Sequence, residues 1–238
     1  MSFSKMLVIS ATTLSLHISS TSPNPPLRKS ERTIERTTFE FILVSPALRL
    51  MQKTQAFYWG SAIAEAAIII ASSYPPSTLS QSIITVFALG GEPPSSCLNR
   101  TLFLGSFLTI SGALVRILSY SALGKYFTFE AGISHDHILI KTGPYSLVRH
   151  PGYAGAVLAY LGLLVYYASP GSWFIECALK GSVIGFLSGT TFVFSMSLVV
   201  AGLLSRISKE EARLQSKFGL EWDMWAARVP YILVPCIY

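Results

Sequence analysis

Two clusters in this sequence carry side chains and spacings suited to chemistry. The first is the run from Gly143 to Gly155, Gly-Pro-Tyr-Ser-Leu-Val-Arg-His-Pro-Gly-Tyr-Ala-Gly, which sets Arg149 beside His150. Pro151 biases His150 away from helical dihedrals and suits a first helical position, so Arg-His-Pro predicts a turn at the start of a helix. The N–H groups and dipole of such a start favour negative charge. The second cluster is Ser205-Arg206-Ile207-Ser208-Lys209-Glu210-Glu211. On a continuous helix Arg206 and Glu210 share a face. Ser208 to Glu211 also reads as a capping box, which would begin a new helix there, and the spacing leaves both readings open. Together the clusters could hold a zwitterion. Arg206 and the His150 region suit its anion, and Glu210 with Trp222 and Trp225 suits a cation such as a sulfonium. The plainer reading sets Arg149 and His150 in lipid headgroups and makes Arg206–Glu210 a helix-surface ion pair.

The elements that must position these clusters are set by composition. Of 238 residues, 51% are hydrophobic and 13% charged, with a mean hydropathy of +0.50. A soluble domain carries about twice that charged fraction, so the class is an all-α integral membrane protein. The net charge of +6 is read as loops facing anionic lipid rather than as a nucleic-acid surface, because no motif interleaves basic and aromatic residues. Cys97, Cys177 and Cys236 lie far apart without metal-ligand spacing, and Cys236 is third from the end, not at the position a prenylation signal needs.

Hydropathy predicts about five transmembrane helices. They cover roughly residues 4–20, 55–73, 101–122, 153–168 and 181–204, the last two forming a helical hairpin across the turn Ser169-Pro170-Gly171-Ser172. Residues 4–20 are read as an uncleaved span, with a cleaved signal peptide as the competing reading. The segment 38–51, interrupted by Pro46, is expected to lie at the interface. Glu65 and Arg116 are intramembrane charges that could pair with each other or serve a substrate. Lys and Arg concentrate in 21–55, 123–150 and 205–238, while Arg100 and Lys180 alone mark the intervening loops. Five spans set those three regions on one side, cytosolic by the positive-inside rule. The expected division is 1–99, an N-terminal membrane region, and 100–238, a core with a cytosolic loop at 123–152 and a cytosolic helical tail at 205–238.

A family resemblance rests on these motifs. Lys141-Thr-Gly-Pro-Tyr145, Arg149-His-Pro-Gly-Tyr-Ala-Gly155, Arg206 with Glu210 and Glu211, Phe218-Gly219 and Arg228-Val-Pro230 follow one another. In order and spacing, over about residues 100–235, the chain resembles the isoprenylcysteine carboxyl methyltransferase family. The Arg-His-Pro-x-Tyr-x-Gly element also occurs in phospholipid methyltransferases. The Arg-x-x-x-Glu-Glu and Arg-Val-Pro elements, with Tyr126-Phe-Thr-Phe-Glu130, narrow the resemblance.

The resemblance implies S-adenosyl-L-methionine as methyl donor and a prenylated cysteine carboxylate as acceptor, with the lipid bilayer of the endoplasmic reticulum as setting. By position it implies a cofactor pocket of Glu130, His137, Ile138, Leu139, Ile140, Tyr145, His150, Pro151, Gly152, Tyr153 and Glu210, with Arg206 on the substrate carboxylate. Arg149 is left to a structural or headgroup contact. Two departures stand out: Glu130, where other members can carry Gln, and Trp222 with Trp225, where tyrosines are expected. A carboxylate is ionised at neutral pH, so methyl esterification needs no general base. The competing readings are a phospholipid N-methyltransferase and a non-catalytic membrane scaffold.

Overall fold

The computed structural model describes residues 2–25, 38–127 and 138–237. Among them lie seven α-helices and no strand, in keeping with the all-α class. They are α1 (Ser2–Ser20), α2 (Thr38–Ser72), α3 (Thr78–Ala88), α4 (Arg100–Leu123), α5 (Pro151–Tyr167), α6 (Val183–Phe218) and α7 (Leu220–Arg228). Short 3-10 turns occupy Gly124–Tyr126 and Gly143–Ser146, and a π-helical turn, Phe174–Leu179, leads into α6. Among the described residues two stretches, Arg100–Tyr126 and Val183–Phe218, are long and apolar enough to cross a membrane. Their outward side chains include Phe103, Phe107 and Leu118 on α4, and Phe186, Leu187 and Phe194 on α6.

The α4–α5 pair is the frame of the molecule. Small residues recur on both helices: Gly105, Thr109 and Gly112 face Gly162, Ala159 and Gly155. The order is antiparallel, since Gly105 meets Gly162 and Tyr166, while Gly112 meets Gly155 and Ala159. A Cβ on Gly112 would collide with the backbone N of Ala159 and lie 2.6 Å from the Gly155 carbonyl oxygen. Small residues let apolar helices approach to backbone contact, where dispersion and close packing hold them together. Gly112→Leu should therefore separate the pair and cost about 3 kcal/mol. A lowered thermal unfolding midpoint in detergent micelles would register the loss.

A buried hydrophobic cluster lies toward the opposite end from the two motifs. There Phe57 of α2 stacks on Phe192 of α6 with ring centroids 4.3 Å apart, among Tyr167, Trp173 and Phe174. Lys5 of α1 is fully buried at that end. Its Nζ lies 2.6 Å from Glu65 Oε1 and donates to the carbonyls of Ser95 (2.6 Å) and Gly171 (3.1 Å). Burying two charges is tolerable only with such pairing and added hydrogen bonds.

Three expectations change. Glu65 pairs with Lys5 rather than Arg116, because Lys5 begins α1 at the end where α2 finishes. The segment 38–51 is not separate: α2 runs unbroken through Pro46 to Ser72, taking in the expected second span. Residues 78–88 form α3, started by Ser77, whose side chain accepts from the Ser80 N–H. The α5–α6 connection is longer than a tight turn. Gly171 turns the chain at φ +74°, and the π-helical segment follows.

Candidate active site

The capping-box reading at Ser208 loses to the continuous helix, since α6 extends without a break to Phe218. Glu210 therefore follows Arg206 by one turn, and Arg206 Nη2 lies 3.2 Å from Glu210 Oε1. Gly219, at φ +51°, ends α6 and starts α7. A left-handed residue there favours glycine and turns the tail back over the helix ends.

Pro151 is the first residue of α5, and His150 precedes it in a non-helical conformation. His150 and Tyr153, three apart, lie ring on ring with centroids 5.5 Å apart and 7° between planes. Tyr153 donates its hydroxyl to Glu210 Oε1 at 2.6 Å. His150 Nδ1 stands 3.9 Å from Glu210 Oε2, and His150 Nε2 stands 3.4 Å from Glu211 Oε1. The two motifs, more than 50 residues apart in sequence, thus meet at one partly buried carboxylate pair. Tyr145, on the 3-10 turn before His150, belongs to the same neighbourhood. Burial, then the Glu210 charge, pushes its phenol well above the ordinary range.

The expected site residues divide. His150, Tyr153, Arg206 and Glu210 come together, with Tyr145 beside them. Pro151 is buried beneath the turn, and the Gly152 carbonyl accepts a hydrogen bond from Arg116. Ile138, Leu139 and Ile140 form an irregular segment ahead of the 3-10 turn, Ile138 exposed and the next two half-buried. Glu130 and His137 lie outside the described residues.

Of its two expected readings, Arg149 takes the structural one. Its Nε lies 2.7 Å from Glu211 Oε1, and its guanidinium carbon is 5.9 Å from the centre of the Trp222 ring. The backbone N–H groups of Arg149 and His150 donate to the carbonyls of Tyr231 and Ile232, both at 2.9 Å. Lys141 adds an exposed ion pair to Glu221 at 2.6 Å. The Arg-His-Pro turn is therefore clamped to the tail. Glu211 is the residue the motif reading underused. Adjacent helical residues point about 100° apart, so Glu210 and Glu211 can flank one imidazole from two sides.

The Glu211 carboxyl is held below its ordinary value of 4.5, chiefly by the His150 imidazole N–H beside it and further by the Arg149 charge. A depressed carboxyl stabilises the fold above its ordinary pKa, and that contribution fades as pH falls through the lowered value. The clamp should therefore hold at neutral pH and release in acid, below about pH 4.5. Limited proteolysis across pH should show the tail becoming cleavable there, and Glu211→Gln should expose it already at neutral pH.

The family model described as phospholipid methyltransferase matches residues 100–190. That match covers less than half of the chain. A probable protein-S-isoprenylcysteine O-methyltransferase of Oryza sativa subsp. japonica is 31% identical over 130 residues, 53% of this chain and 58% of the relative. The protein-S-isoprenylcysteine O-methyltransferase of Schizosaccharomyces pombe is 30% identical over 150 residues, 57% of this chain and 55% of the relative. The resemblance read from the motifs is thereby borne out. The matched stretch spans little more than half the length of these relatives. A Delta(14)-sterol reductase of Mus musculus is 27% identical over 100 residues, 42% of this chain and 20% of that protein. No solved structure matches. The stretch that matches the family model holds the Arg-His-Pro turn and Tyr153, while Arg206 and Glu210 lie beyond residue 190 on the continuous α6.

Proposed function

We propose that the protein transfers a methyl group from S-adenosyl-L-methionine to the C-terminal carboxylate of a prenylated cysteine, forming a methyl ester. The observation that carries this reading is the convergence of Tyr153, His150 and Arg206 on Glu210. It joins the turn in the stretch that matches the family model to an arginine that can grip an anion.

The residues fit the donor. Glu210 offers a carboxylate to a cationic sulfonium or ammonium, and Tyr145, His150 and Tyr153 offer aromatic faces around it. The indole N–H groups of Trp222 and Trp225 are buried without a hydrogen-bond acceptor among the described residues, and the donor is rich in acceptors. When bound, S-adenosylmethionine supplies an electrophilic methyl group to a nucleophilic oxygen. Pro151 and Gly152 set the turn that aims His150 and Tyr153, and Ile138–Ile140, with Glu130 and His137, complete the proposed pocket.

Arg206 is the acceptor's partner. Its guanidinium binds the substrate carboxylate through one oxygen and leaves the other free to react. An ionised carboxylate has no proton to lose, so no base is needed. The protein's contribution is holding both reactants together and excluding water, worth several kcal/mol.

In this reading α1, the later half of α2, α4, α5 and α6 span the endoplasmic reticulum membrane, with core 100–238 behind membrane region 1–99. The basic segments 21–55, 123–150 and 205–238 face the cytosol, and the outward apolar faces of α4 and α6 meet lipid. The prenyl chain then reaches the site from the bilayer while the donor arrives from water. The test is methyl transfer in membranes, comparing N-acetyl-S-farnesylcysteine with N-acetylcysteine. Label should enter the prenylated acceptor and leave the unprenylated one untouched.

Phospholipid N-methylation is the second reading, favoured by the description of the matching family model. An amine acceptor must lose a proton, and Arg206 beside it would repel its charged form.

A further inference from the structure

Arg116 lies in the apolar helix α4 and is 8% exposed. Its Nε donates to the Ser19 carbonyl at 3.0 Å, and its Nη1 donates to the Gly152 carbonyl at 3.1 Å. The Tyr120 hydroxyl donates to the same Ser19 carbonyl at 2.6 Å, with the guanidinium carbon 5.3 Å from the Tyr120 ring centre. Ser19 sits in the last turn of α1, where carbonyls lack helical partners and the dipole is negative. A buried cation is well placed there. Gly152 is the second residue of α5, between His150 and Tyr153.

Gly155 makes this reach feasible. A Cβ at Gly155 would lie 2.9 Å from Arg116 Cγ and 3.0 Å from Arg116 N. The bare Cα lets the arginine stem cross α5 closely enough for its guanidinium to reach the carbonyl one turn earlier. The Gly152 and Gly155 positions of the motif thus serve one contact.

We propose that Arg116 is a positioning residue for the methyl-donor pocket. It ties the end of α1 to the first turn of α5 and thereby fixes His150 and Tyr153 against Glu210. The inference rests on the methyltransferase reading above. It also gives α1, which lies outside the matched family domain, a part in the site it does not touch.

The test uses the purified full-length protein. Equilibrium binding of tritiated S-adenosylmethionine gives Kd, and turnover of N-acetyl-S-farnesylcysteine gives kcat and both KM values. Arg116→Gln should raise Kd and KM for the donor about tenfold or more, with KM for the acceptor unchanged within about threefold. Arg116→Lys, which keeps a charged donor, should recover most of the loss. Gly155→Ala should shift Kd in the same direction as Arg116→Gln. Gly162→Ala, at the far end of the same helix pair, should lower the thermal midpoint and leave Kd alone. Wild-type Kd and KM in Arg116→Gln would overturn the proposal, whatever the midpoint does. Wild-type protein that binds the donor but methylates no prenylcysteine would overturn the functional reading instead, and Kd would still judge Arg116.

Discussion

Arg206→Ala should lower kcat/KM for a prenylcysteine acceptor by about a hundredfold to a thousandfold. The Kd for S-adenosylmethionine should change by less than about threefold. The reasoning starts from charge. The acceptor carboxylate must leave water for a site at the helix ends, and desolvating an anion without a paired cation costs several kcal/mol. Arg206 is only 12% exposed at its side chain and already pairs with a carboxylate, that of Glu210. Its loss removes the acceptor's partner but leaves Glu210, Tyr153 and His150 in place for the donor. Near-full turnover by Arg206→Ala, measured with the acceptor well below saturation, would remove the arginine from its assigned role.

Glu210→Ala should fail in the complementary way. Glu210 Oε1 takes the Tyr153 hydroxyl at 2.6 Å and the Arg206 guanidinium at 3.2 Å, so it is the junction of the two motifs. Removing it takes away the negative charge facing a cationic donor and leaves the Tyr153 hydroxyl without that acceptor. A charge-assisted contact of this kind is worth about 1.5–3 kcal/mol, so Kd for S-adenosylmethionine should rise about tenfold to a hundredfold. Glu210→Gln keeps the acceptor oxygen for Tyr153 and should sit between wild type and Ala. Equilibrium binding of the labelled donor separates the three. A Glu210→Ala variant with wild-type Kd would mean that the donor does not use this carboxylate.

The pattern of what could be read in advance follows from the range of the interactions. The helical class and the turn at Arg-His-Pro are local, set by hydropathy and proline within a few residues. The Arg206–Glu210 face was legible once the helix was assumed continuous, since the contact spans one turn. What decided against the capping box is the tertiary docking of the later part of α6, through Tyr153 on Glu210 and Arg149 on Glu211. The partners of isolated charges were not legible. Glu65 found Lys5, 60 residues away, and Arg116 found backbone carbonyls, which carry no signature in a sequence. The partners of Arg149 were not legible for the same reason: only the fold brings Glu211 and Trp222 to it.

The similarity to a sterol reductase shows that this kind of segment also occurs in a protein named for different chemistry. Product identity therefore tests the central claim most directly. Membranes containing the full-length protein are incubated with S-adenosylmethionine labelled in its methyl group and with N-acetyl-S-farnesylcysteine, and the product is treated with base. The account predicts label released as volatile methanol, as a methyl ester requires, in an amount that follows the prenylated acceptor. Base-stable label in lipid amines, or no methyl transfer to any acceptor, would contradict it.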